Sequence, residues 1–180
     1  MLHFLPQRLA VLLCLCGITV SQSTGIWLDV PFVQQEKNGC GAAVVAMVID
    51  YWRNQQGHNQ SVRVDASQIQ RALYSPQAHG IYSSRLQRYF EEHGFRTFAL
   101  HGDWALLREQ LEKGRPLIVA LKPRKGETSL HYVVVAGLDW SSDVLMINDP
   151  AQRKLLKVER RRFENEWQAV NRWTLLAIPR

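Results

Sequence analysis

The chain has 180 residues, 46% of them hydrophobic and 21% charged, and 22 Lys and Arg against 16 Asp and Glu give a formal net charge of +6. That length and composition describe one globular domain and exclude disorder throughout, since a disordered chain lacks the apolar surface to bury. Three cysteines exclude a disulfide-stapled scaffold, and a single long apolar run excludes a multi-pass membrane protein.

That run opens the chain. Arg8 precedes an apolar stretch from Leu9 to Val20, and the small, polar Ser21-Gln22-Ser23-Thr24-Gly25 follows. A positive start, a short apolar stretch and small residues behind it predict an export signal over residues 1–23, with an uncleaved N-terminal anchor as the alternative. The stretch falls short of the roughly 20 apolar residues that span a bilayer. Thr19 with Ser21, or Ser21 with Ser23, supplies the small pair ahead of a cleavage point. Leu13 and Leu15 stand directly before Cys14 and Cys16, where lipid attachment wants a small residue, which argues against a lipoprotein. The expectation is an exported domain, periplasmic or extracellular, over residues 24–180, with Cys40 as its one cysteine.

Ile26 to Val33 reads as a short strand with Pro31 suited to an edge. Gln34 to Gly39 is polar and breaks regular structure. Cys40 to Arg53 is predicted helical and apolar nearly all round, with Ala43, Met47 and Tyr51 on one stripe and Val44 and Val48 beside it. Such a helix belongs in a core. Asp65 caps a helix from Ala66 to Leu73, another runs from Ser83 to His93 and stops at Gly94, and Asp103 to Lys113 is a helix ended by Gly114. Phe95 to Leu100 reads as a strand between the last two.

The second half is mostly strand. Pro116–Leu121, Leu130–Trp140, Val144–Asn148, Lys154–Val158 and Trp173–Ile178 are β-branched, apolar runs separated by turns, and only Arg161 to Val170 looks helical. A helical N-terminal half packed on a C-terminal antiparallel sheet is an α+β pattern.

Three residues carry candidate chemistry. Cys40 begins the buried helix, where partial positive charge and free N–H groups favour a thiolate and can receive an oxyanion. His131 opens a strand buried on both faces, which predicts a ring held rigidly and near neutral. Asp149 ends the next strand, within hairpin reach of His131, where an acid would orient the imidazole. Nucleophile, base and orienting acid in these places match a cysteine-protease arrangement. Each residue also has a structural reading: Cys40 as helix-start packing, His131 as a satisfied core histidine, Asp149 as a turn-former before Pro150.

The segment Val30-Pro31-Phe32-Val33-Gln34-Gln35-Glu36-Lys37-Asn38-Gly39-Cys40-Gly41-Ala42-Ala43 resembles the opening motif of cysteine peptidase family 39. His131-Tyr132-Val133-Val134-Val135-Ala136-Gly137 and Asn148-Asp149-Pro150 resemble its histidine and aspartate motifs, and the likeness extends over Trp27 to Pro179. The resemblance implies a papain-like fold, Cys40 as nucleophile, His131 as general base, Asp149 as orienting acid and Gln35, or else Gln34, in the oxyanion hole. It implies a peptide or protein substrate such as a leader or bacteriocin-like peptide; no cofactor is expected, and no metal, since Cys40, His131 and Asp149 come with no close ligand pair such as Cys-x-x-Cys. A non-catalytic peptide-binding domain and a cell-wall peptide amidase are the alternatives. The best-known members are parts of ATP-driven exporters, whereas this sequence has no Gly-rich phosphate loop.

The cluster Arg160-Arg161-Arg162, with Arg153, Lys154 and Lys157, reads as a solvated helix face, an anionic envelope surface being the functional alternative. No nucleic-acid module accompanies it. His58, His79, His93 and His101 receive no role.

Overall fold

A computed structural model describes residues 24–58, 63–122 and 130–180. The expected export segment, residues 1–23, lies outside them. The elements run β1 (Gly25–Trp27), α1 (Cys40–Gln55), α2 (Ala66–Leu73), α3 (Ser83–Glu92), β2 (Phe95–His101), α4 (Trp104–Glu112), β3 (Leu117–Leu121), β4 (His131–Asp139), β5 (Val144–Asn148), β6 (Leu156–Glu159), α5 (Arg160–Gln168) and β7 (Trp173–Pro179). The strands form one sheet in the order β2-β7-β3-β4-β5-β6, with β1 paired to β4, and every pairing is antiparallel.

Local signals set the helix ends. The Asp65 carboxylate accepts from the N–H groups of Ser67 and Gln68, and that of Asp103 accepts from Leu106 N–H at 2.7 Å. Both satisfy donors that a first turn leaves free. Gly94 (φ +87°) and Gly114 (φ +69°) take the left-handed conformation just past α3 and α4.

α1 is the centre of the core: Gly41 through Tyr51 are all buried. It packs on β4 and on α2. Its one buried acid, Asp50, accepts from Val64 N–H at 3.0 Å and pairs with Arg63 Nε at 2.9 Å. That ties α1 to the segment leading into α2.

Two strands depart from expectation by two residues or more at one end. β1 stops at Trp27, although Leu28 N–H still donates to Ala136 O at 2.7 Å. Pro31 has no N–H to offer a ladder, so the chain leaves the sheet and its carbonyls find other partners, Val30 O accepting from Asn148 Nδ2 at 3.1 Å. β6 begins at Leu156 rather than Lys154 because Leu155 sits at φ +50°, which no strand can run through. Pairing of β4 with β5 shifts by one residue between Val135 and Gly137, a β-bulge.

Candidate active site

Cys40 is the first residue of α1, and the capping position before it is Gly39, which has no side chain to occupy the first-turn N–H groups. Positive backbone charge is therefore left open beside the sulfur. Asn38 at φ +57° and a Gly39 N–H to Glu36 O bond of 2.9 Å fold the approach to Cys40 into a tight turn. Small residues then let α1 sit close to its neighbours, since a Cβ on Gly41 would stand 3.0 Å from Ile81. Cys40 is partly exposed.

His131 starts β4, and its Nε2 hydrogen-bonds Asp149 Oδ1 at 2.7 Å across the β4–β5 hairpin. The Cys40 thiol donates to Leu130 O, beside the histidine, at 4.0 Å, and its side chain acts electrostatically on the same ring. Burial of the imidazole works against its proton, but the hydrogen bond to Asp149, with the Asp149 charge and the neighbouring Cys40 side chain, outweighs it and raises the pKa to about 9. The expectation of a near-neutral ring is therefore corrected: an acid that accepts the N–H of a half-buried imidazole stabilises the imidazolium, which holds its proton at pH 7.

Asp149 is held from several sides. Oδ1 also accepts from Ala151 N–H at 2.9 Å, and Oδ2 accepts from Gln152 Nε2 at 2.5 Å. Burial pushes its carboxyl up, yet hydrogen bonding to His131, the ring's charge and these further donors win, so the carboxyl lies below its ordinary value. Tyr132, the next residue after the histidine, is buried, and burial followed by the charge of Cys40 drives its hydroxyl well above the usual range.

A cleft of about 400 Å³ contains Cys40, His131 and Asp149, and Gln35 lines it while Gln34 does not. Gln34 is exposed, whereas Gln35 is half-buried with an Oε1 that has no protein partner. The backbone of Gln35 is fastened to the far side of the site through Gln35 N–H to Pro150 O at 2.9 Å. The other walls include Leu121, Leu130, Ile147 and Leu156.

Asn38, His79 and Gln152 also line the cleft, and sequence reasoning assigned none of them a role. His79 stands at φ +48° in a loop closed by the Ser75–Gly80 bridge, and one histidine in a polar loop carries no pattern that would reveal it. Gln152 follows Asp149 by three residues in a turn, the only available hint. Half of the basic cluster is paired in place: Lys154 with Asp29, Arg160 with Asp143 and Arg162 with Glu166. Among the described residues no group of three His, Cys, Asp or Glu side chains is placed to hold a metal ion, and no helix is long and apolar enough to cross a membrane.

A model described as the Peptidase_C39 like family matches residues 27–174. The peptidase domain of Streptococcus ComA, a bifunctional ABC transporter involved in quorum sensing, superposes with a TM-score of 0.64 at 24% identity, covering 84% of this chain and 99% of that one. A C39-like peptidase from Bacillus anthracis gives a TM-score of 0.67 at 17% identity, over 87% and 98% of the two chains. A double-glycine-motif protease from an AMS/PCAT transporter, in complex with its leader peptide, gives 0.63 at 22% identity, over 86% and 94%. No curated protein matches the sequence. The fold is that of papain-like cysteine peptidases, helices packed on an antiparallel sheet, as the sequence led us to expect.

Proposed function

We propose, from the premise that this chain belongs to the Peptidase_C39-like family, that it is an exported cysteine endopeptidase acting through Cys40, His131 and Asp149. The observation that carries the proposal is the His131 ring, bonded on one side to Asp149 and flanked by Cys40 at the uncapped start of α1. An imidazolium beside a sulfur at a helix N-terminus stabilises a thiolate, the nucleophilic form.

In this mechanism the Cys40 thiolate attacks the carbonyl carbon of a peptide bond, forming a C–S bond and moving an electron pair onto oxygen. The open first-turn N–H groups of α1 and the Gln35 amide receive that oxyanion. The His131 imidazolium gives its proton to the leaving nitrogen as the C–N bond breaks, and the new amine departs. Neutral His131, oriented by Asp149, then takes a proton from water while the water oxygen attacks the thioester. Cleavage of the C–S bond releases the acid and restores thiolate and imidazolium.

The substrate class is an extended peptide, and leader-like peptides come first because a relative of this fold was solved with its leader bound. Residues 1–23 serve export, so the enzyme works on the outer side of the cytoplasmic membrane. The test is incubation of the purified exported protein with Gly-Gly leader peptides and with peptidoglycan stem peptides, read by mass spectrometry. Cleavage lost in Cys40→Ala supports the reading. Cleavage that survives the substitution overturns it, and binding without cleavage by the wild type identifies a peptide-binding domain instead.

A further inference from the structure

We infer that Gln70, on α2 and outside the cleft, is a positioning residue for Cys40; the inference rests on the peptidase reading above. Three features meet at the turn that delivers the cysteine.

The first is a hydrogen bond. Gln70 Nε2 donates to Lys37 O at 2.8 Å, joining α2 to the backbone three residues before Cys40. The second is steric. Gln70 Oε1 rests against Gly39, in the space a Cβ there would need, so the two ends of one amide grip two residues of the same turn. The third is a deficit of packing. Behind the turn lies a recess of about 250 Å³ whose walls include Val33, Glu36, Gly39, Ala42, Asp65 and Gln70. On the recess side the turn has few packed side chains, so the polar contacts of Gln70 weigh more there. α2 can bear that load: Asp65 caps it and Ile69, the residue before Gln70, is buried.

Asn38 at φ +57° gives the turn its left-handed step, a conformation asparagine takes readily. Without the Gln70 amide the Lys37–Gly39 turn can relax into the recess. The first turn of α1, its N–H groups and the sulfur then lose their alignment with His131.

The test compares alkylation of Cys40 by iodoacetamide across pH in the wild type, Gln70→Ala and Gln70→Glu. The glutamate keeps the side-chain length but replaces the donor facing Lys37 O with an acceptor, so it probes the hydrogen bond with little change in packing. Both variants are expected to alkylate about tenfold slower at pH 7 and to lose kcat by a similar factor, with KM within about twofold. Thermal melts show that the fold is kept, and a merely structural role would lower the Tm while leaving the native thiol's rate alone. Gly39→Ala should also slow the thiol, since its Cβ would displace Gln70 Oε1 and press on the Glu36 backbone of the same turn. Wild-type rates in both Gln70 variants overturn the inference. A wild-type thiol no faster than free cysteine instead overturns the peptidase reading, and this inference with it.

Discussion

His131 and Asp149 face the same side of the sheet because β4 carries one residue more than its partner. From the hairpin end, Asp139 pairs with Val144 and Gly137 with Met146; beyond Ala136 the register has moved by one, and Val134 pairs with Asn148. Continued without the bulge, the first register would set Asp149 opposite Val134, on the face away from His131. Carried one residue past the end of β5, the shifted register brings Asp149 level with Val133, two residues from His131 and therefore on the histidine's face. The hydrogen bond of 2.7 Å follows from that parity. Gly137 completes the arrangement, because a Cβ there would strike Ile26 O and Met146 where β1 and β5 close on β4.

Asp149→Asn removes the carboxylate that sustains the His131 proton. The alkaline limb of kcat/KM, expected at about 9 in the wild type, should move toward the ordinary histidine value. kcat should fall by about a hundredfold or more, as for other triads deprived of their acid. A pH–rate profile of both proteins reads the shift, and an unchanged limb would count against His131 as the titrating group.

Stability should carry the same signature. The folded pKa of His131 is raised from 6.5 to about 9, so its contribution is complete below about pH 6.5 and is lost as pH rises through 9. Asp149 is lowered, so its contribution is present above the ordinary carboxylate value and is lost as pH falls through the depressed one. The wild-type Tm should decline between pH 7 and 9.5 and His131→Phe should flatten that decline, as calorimetry over the range can test.

Gln35→Ala should lower kcat by about 10²–10³, the cost of one oxyanion donor. Gln34→Ala should leave kcat and KM within about twofold, because Gln34 lies outside the cleft. Steady-state kinetics on one peptide decides between them, and the reverse ranking would exclude Gln35 from the oxyanion hole.

Gln152→Ala removes the donor to Asp149 Oδ2 but leaves Ala151 N–H and His131 on Oδ1. A smaller loss follows, about three- to tenfold in kcat, because the carboxylate keeps its main partners. A loss as deep as that of Asp149→Asn would show that Gln152 does more than steady the acid.

Asp50→Ala tests the fold apart from the chemistry. It strips Val64 N–H and Arg63 of their partner, and the expected cost is about 1–3 kcal/mol, read by urea denaturation. Arg63 is half exposed, so water screens much of the pair and the Val64 bond carries most of the effect.

Much of this molecule is legible in one dimension because local chemistry governs it. Asp65, Asp103, Gly94 and Gly114 announce helix ends through capping and positive φ, and the all-apolar run after Cys40 can be stable only inside a core. Cys40 at a helix start is a statement about neighbouring residues, so it too can be read directly, and the same holds for a strand that opens on His131.

What the tertiary structure alone decided depends on residues far apart in sequence. Gln35 rather than Gln34 faces the cleft because Pro150 O fastens its backbone, and His131 keeps its proton because Asp149 and Cys40 converge on one ring. Nothing local marks Ala136 as the residue that shifts the register, because a bulge is a relation between two strands, and the face on which an acid lands is settled only when they pair.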